Sequence, residues 1–181
     1  MNVAIFPGHI GKDSGAVDKK YSHDKDNIYS IESSINNAIA AYLDVFLSQM
    51  DIKHKIITGS LQHKVEKSKE CNLGISIHCD WNENPNTKGL HTIHYPGSKY
   101  GKEFAKYISN NPILIENLSV ARRPHSRNDL YILKNTKFPI VLLESGFLSN
   151  TEQEKKLNTP VIQKRIAFAL ANSIQKMKLI L

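Results

Sequence analysis

Three short apolar runs in this 181-residue chain lead into an ionisable residue. His9 follows VAIFPG, His78 ends GISIH and Glu144 ends PIVLLE. Such a group at the end of a buried strand is costly without partners, and the carboxyl ends of strands are where open α/β sheets build their sites. Glu32 is the fourth. It stands four residues after Ile28 and three before Ile35, at the edge of a helix's apolar stripe, where a lone carboxylate would be desolvated. Two imidazoles and a carboxylate at one sheet edge form a three-ligand set for zinc with a position left for water, and a second carboxylate is then available as general base. Taken singly, a strand-end histidine is more simply a hydrogen-bonded structural residue, and a helix-edge glutamate a solvated one. The combination at one edge is what points to metal-assisted hydrolysis.

The elements that must position these residues are legible as an alternation of periods. Residues 3–6 form an apolar run stopped by Pro7-Gly8, as in a buried strand entering a tight turn, and a polar loop follows to about Asp26. Residues 27–50 carry Ile28, Ile31, Ile35, Ile39, Tyr42 and Phe46 at three- and four-residue spacing, with Asp26 placed to cap a long amphipathic helix. Residues 52–58 read as a strand, 61–72 as a charged surface helix and 74–78 as a strand. Beyond a loop at 81–88, residues 90–95 alternate like a strand and 99–109 are helical. Residues 130–133 and 140–143 read as two more strands, the second continuously apolar and so central. Helices are expected over 151–157 and 161–177. This order predicts a three-layer α/β/α sandwich around a mixed, mostly parallel sheet of about six strands, with residues 1–181 forming a single domain.

The bulk properties are compatible with this reading and exclude little. The formal net charge of +7 favours an anionic partner, but no zinc-finger spacing or aromatic ribonucleoprotein motif supports nucleic acid. Two cysteines, Cys71 and Cys79, are too few for a secreted disulfide framework and read as buried thiols. No apolar run reaches membrane-spanning length.

Four segments resemble the zinc-dependent N-acetylmuramoyl-L-alanine amidases of the type 3 family. VAIFPGHIGKDSGAVD is similar to the family's opening strand, PGH turn and Gly-Ala loop, Glu32 stands in the first long helix, GISIHCDWNEN resembles the SIH strand, and LYILKNTKFPIVLLESGFLSN resembles the closing Pro-led strand with its Glu and GFLSN turn. The resemblance implies His9, Glu32 and His78 as ligands of Zn2+, Glu144 as the catalytic carboxylate, and peptidoglycan as substrate, cut between N-acetylmuramic acid and L-alanine by an endolysin or autolysin. Two residues depart from the family pattern. Phe6 replaces an acidic residue common before the PGH turn, and Asp80 stands where Asn usually follows SIH. Other readings are a zinc peptidase acting on stem peptides, against which GFLSN argues, and a non-catalytic wall-binding module, against which the intact set of four argues.

Further expectations concern context. MNVAIFPGH lacks the basic segment and apolar length of a secretory leader, so the chain is expected to be made in the cytoplasm, to act at the cell wall after release, and to use its charge on anionic wall polymers, as a monomer. His91 and His94, three apart on an alternating strand, should face opposite sides and take surface or supporting roles. Arg122, Arg123, His125 and Arg127 form a basic stretch before the presumed strand at 130, ordinarily a solvated loop, though one that could meet a stem-peptide carboxylate. Cys79, beside His78, should point into the core. The short, Asn-rich loop at 81–88 should form no helix able to plug the site.

Overall fold

The three runs that end in ionisable residues are immediate neighbours in the fold. In the computed structural model, which describes residues 1–9 and 32–181, β1 (Asn2–Pro7), β3 (Leu73–Asp80) and β6 (Ile140–Phe147) lie side by side and parallel. β2 (Lys53–Ile56) extends the sheet parallel to β1, while β4 (His91–His94) runs antiparallel to β6 and carries the short β5 (His125–Ser126) parallel to itself. The order is β2-β1-β3-β6-β4-β5. From β1 the chain moves outward to β2 and then returns to the other side for β3, so its direction of winding reverses between β1 and β3. In open sheets ligands bind outside the carboxyl ends of strands at such a reversal.

Alternate residues of each strand face opposite layers. Val3, Ile5, Leu73, Ile75, Ile77, Val141 and Leu143 point into the larger core, closed by α1 (Glu32–Gln49), α3 (Lys99–Ser109), α4 (Pro112–Leu118) and α7 (Pro160–Met177). On α1 the fully buried stripe is Ile35, Ile39, Leu43 and Leu47, spaced by four, with Tyr42 and Phe46 packed at its margin. Asp26, Ile28 and Ile31, assigned to the start of this helix, lie outside the described residues. Among the described residues the opposite face is thinly covered: Ala4, Phe6, Ile140 and Leu142 meet Ile132 and Leu133 from α5 (Tyr131–Asn135), with Val65 from α2 (Leu61–Lys67) at the edge. The expected three-layer architecture is present, with unequal layers. Among the described residues no helix is long and apolar enough to cross a membrane.

Several boundaries differ from the sequence reading. Residues 130–133 are not a strand: Leu130 immediately precedes α5 without a side-chain capping bond, Ile132 and Leu133 are buried together, and Tyr131 is exposed. A four-residue apolar run does not by itself distinguish strand from helix. The sixth strand is instead β5, two residues long and without an apolar run. Helix α2 stops at Lys67, where the Ser68 N–H bonds the Val65 carbonyl. Helix α4 was not expected, although Asn111 caps it by accepting from the Ile113 N–H and Pro112 occupies its first turn. Finally α6 (Thr151–Leu157) forms as expected, capped by Asn150.

Candidate metal centre and its neighbouring carboxylate

Each member of the predicted set is delivered by a different element. His9 leaves the end of β1 with φ 52, a conformation costly for a residue with a side chain and characteristic of functional turns. Glu32 opens α1 and is 3% exposed, and His78 lies on β3 facing the thinly covered layer. One ligand atom from each of these three falls within 4.8 Å of the others. His78 Nδ1 is 2.9 Å from Glu32 Oε1 and His9 Nε2 is 3.4 Å from Glu32 Oε2. Both imidazoles keep an open side, with 31% and 21% of their side chains exposed. A buried carboxylate flanked by two part-exposed imidazoles fits a catalytic zinc ion, which takes three protein ligands and leaves a position for water.

Residues that the sequence reading did not single out hold this arrangement. Asn36, one turn beyond Glu32, donates from Nδ2 to Glu32 Oε1 at 3.3 Å and to the Gly8 carbonyl at 3.2 Å. It thereby ties α1 to the β1 turn. The Cys79 N–H also donates to Glu32 Oε1, at 3.1 Å. Ser76 Oγ lies 3.2 Å from His78 Nε2 and so fixes which nitrogen of that ring faces Glu32, a task commonly given to outer partners of metal-binding histidines. Gly8 is dictated by close approach, since a Cβ there would lie 2.3 Å from His78 Cε1. Phe6, the departure noted before the PGH turn, is fully buried in the smaller core and supplies no hydrogen-bond acceptor.

Glu144 is brought to the same face as His78, opposite it in the β3–β6 register, and is not one of the three clustered ligands. Its Oε2 is closed off from solvent and has no hydrogen-bond partner among the described residues. Burial, followed by the nearby charges of Asp80 and Glu32, raises its pKa well above the ordinary carboxylate range. On the other side, Glu144 is opposite His91 of β4. His91 is 2% exposed, with its ring near Phe147 and His125 at centroid distances of 5.7 and 5.5 Å. Burial, then Arg122, His125 and Arg127, lower its pKa to about 3. The ring is therefore neutral at physiological pH, and its contact with Asp80, Nε2 to Oδ2 at 3.5 Å, is not an ion pair. Asp80, the second departure, also accepts from the Trp81 N–H through Oδ1.

His91 and His94 do face opposite sides, but both are buried and neither is a surface residue. His94 Nδ1 lies 3.0 Å from the Tyr95 carbonyl. Cys79 is in the larger core, and burial, with Glu32, Glu144 and Asp80 nearby, keeps its thiol protonated by raising its pKa well above the usual range. Cys71 is likewise a free buried thiol. Residues 81–88 contain no helix and are fastened to the GFLSN turn. The Asn82 N–H donates to Ser149 Oγ at 3.0 Å, and Asn150 Nδ2 donates to the Pro85 carbonyl at 2.7 Å. Gln153 completes the support: its Oε1 accepts from the Phe147 and Gly89 N–H groups and its Nε2 donates to the Leu118 carbonyl.

The chain is similar to known proteins in sequence and in fold. Residues 3–176 match the family described as N-acetylmuramoyl-L-alanine amidase. Among curated relatives, the amidase LytC of Bacillus subtilis is 29% identical over 93% of this chain and 34% of its own length. The probable amidase AmiB of Haemophilus influenzae is 24% identical over 94% of this chain and 50% of its own. The chain thus spans half or less of these two proteins. Among solved structures, the catalytic domain of the CwlV amidase from Bacillus (Paenibacillus) polymyxa superposes with a TM-score of 0.83 at 25% identity, covering 97% of this chain and 96% of that one. The CwlD amidase of Clostridioides difficile, solved in complex with the GerS lipoprotein, gives a TM-score of 0.83 at 27% identity, covering 99% and 98%. With nearly its whole length matched in sequence and in fold, the chain belongs to the N-acetylmuramoyl-L-alanine amidase family.

Proposed function

We propose that this protein is a zinc-dependent peptidoglycan amidase, an endolysin or autolysin that hydrolyses the amide between the lactyl carbonyl of N-acetylmuramic acid and L-alanine. The observation that carries the reading is the clustering of His9, Glu32 and His78 ligand atoms within 4.8 Å, next to a carboxylate, Glu144, with a buried and unpartnered oxygen. His9, Glu32 and His78 hold the ion, and Glu144 is the catalytic residue. When bound there, zinc supplies Lewis acidity that lowers the pKa of water and polarises a carbonyl. Glu144 takes a proton from the attacking water as its oxygen bonds to the carbonyl carbon, then delivers that proton to the nitrogen as the C–N bond breaks. The products are a lactyl carboxylate and a free L-alanine amine. Burial and the charges of Asp80 and Glu32 raise the proton affinity of the Glu144 carboxylate, which makes it a stronger base towards the attacking water.

Asn36 and Ser76 orient the ligands throughout. Residues 81–88 are held to the GFLSN turn and act as part of the frame and not as a plug, so purified protein should be active alone. A Gly-Ser replacement of this segment that switched on an inert protein would contradict that. The net charge of +7 serves adsorption to anionic wall polymers, and lysis of walls should therefore fall more steeply with salt than cleavage of soluble muropeptides. Mass spectrometry of digested walls tests the bond assignment. New L-alanine amino termini are expected, whereas released terminal amino acids would mean a peptidase.

A further inference from the structure

The sheet carries a row of ionisable side chains that continues past the proposed catalytic carboxylate. His78 of β3 is opposite Glu144 of β6, and Glu144 is opposite His91 of β4. His125 of β5 pairs in register with Ile93, two residues from His91 and on the same face, and the two imidazoles are 5.5 Å apart. The metal ligands occupy one end of the row and nitrogen-bearing groups the other. At the far end His91 is buried, and its Nδ1 has no hydrogen-bond partner among the described residues.

The segment entering β5 is fastened along β4 at two points. The Ala121 N–H donates to the Leu90 carbonyl at 2.8 Å and the Arg127 N–H to the His94 carbonyl at 3.1 Å. Arg122 and Arg123 are thus confined beside His91 and Thr92. Arg127 is engaged by Asp129 through Nε and Nη2. Arg122 is exposed and takes part in no hydrogen bond or ion pair among the described residues. Its charge nevertheless reaches His91, His125 and Glu144. A guanidinium without a carboxylate partner is a site for a planar anion, and the His91 ring beside it, neutral at physiological pH, brings no charge to oppose one.

The opposite side of the metal ligands differs in kind. There a cavity of about 600 Å³ is lined, among the described residues, by His9, Ser60, Leu61, Tyr131 and Ile132 together with Lys64, whose ammonium is turned to the Pro7 carbonyl, and by no acidic residue. It suits the uncharged sugar and lactyl portion of a muramoyl group. A substrate whose scissile carbonyl lies between the metal ligands and Glu144 then sends its peptide across β4 towards β5. Neighbouring strands are about 4.8 Å apart, and two extended residues span about 7 Å. From between β3 and β6 the carboxylate of the second residue therefore reaches the level of β4, beside which Arg122 is confined.

Resting on the amidase reading above, we propose that Arg122, supported by His91 and His125, forms a subsite for the free α-carboxylate on the second residue of the stem peptide. Arg122 is a specificity residue: the enzyme prefers stems bearing this acid over stems in which it is amidated.

The test compares N-acetylmuramoyl-L-alanyl-D-glutamate with the corresponding D-isoglutamine compound. For the zinc-loaded wild-type protein kcat/KM should favour the acid by about tenfold or more, the scale of one hydrogen bond to a charged group. In Arg122→Gln the preference should shrink to within about twofold, chiefly through KM for the acid, and Arg122→Lys should restore part of it. Binding of both compounds to the Glu144→Gln protein, with and without Arg122→Gln, supplies a readout independent of turnover. An equal preference in wild-type and Arg122→Gln proteins, or a wild-type preference for the amide, overturns the proposal. If the wild-type protein cleaves neither compound, the amidase reading fails, and selective binding of the acid that depends on Arg122 still decides the subsite.

Discussion

The two ends of the ionisable row are built on opposite principles. Both carboxylate oxygens of Glu32 are engaged: Oε1 accepts from the Asn36 side chain and the Cys79 N–H and faces His78, while Oε2 faces His9. Around Glu144 buried polar atoms stand open, with Glu144 Oε2 and His91 Nδ1 lacking partners. A buried polar group left unsatisfied costs about 1–3 kcal/mol and is therefore kept only where something else compensates. The contrast separates a region that must hold its geometry before anything binds from one completed by what binds. In the proposed reading, ligand placement belongs to the first, proton transfer and substrate contact to the second.

The largest expected effect breaks the open end alone. Glu144→Gln should lower kcat by about 10²–10⁴-fold, the usual contribution of a positioned acid–base group, with zinc content by atomic absorption near that of wild type. Loss of zinc in this variant would mean that the two ends are not separable. Next comes the satisfied end. Gly8→Ala places a methyl against the His78 ring and should weaken zinc binding by about 10–100-fold in a competition with a chromophoric chelator, the range typical of disturbed outer partners. Unchanged affinity would show that His78 has room to move. Asn36→Ala removes two buried donors from Glu32 and Gly8 and should weaken zinc by about tenfold, read in the same assay.

The smallest effect on the reaction is one of stability. His91 has its pKa lowered from 6.5 to about 3 in the folded chain. In that interval the unfolded chain takes up a proton that the folded one refuses, so this contribution to stability is complete above 6.5 and is lost as pH falls towards 3. The loss is at most about 1.4 kcal/mol per pH unit. Denaturant midpoints of wild type should therefore fall more steeply between pH 6.5 and 4 than those of His91→Gln, and parallel profiles would contradict the burial assigned to His91.

The satisfied end was the more legible in sequence, for a physical reason. His9 and His78 interrupt apolar runs, and Glu32 has a position fixed by the four-residue repeat that buries Ile35 and Ile39, so local periodicity locates all three. Their supporters do not announce themselves: Asn36 and Ser76 are ordinary polar residues until β1, α1 and β3 are assembled, because their partners are distant in sequence. Gln153, which joins the GFLSN turn to residues 89 and 118, is invisible for the same reason. At the open end, the apolar string at 130–133 concealed a helix, and β5 has no apolar signal because it is a two-residue edge pairing. The basic stretch at 122–127 could be read as charged, but only its attachment to β4 places it near Glu144.

Anomalous scattering at the zinc edge from crystals of the zinc-loaded protein tests the division most directly. One peak bounded by His9, Glu32 and His78, with Glu144 outside the coordination shell, is the result expected. A peak coordinated by Glu144, or none among these three residues, would contradict it.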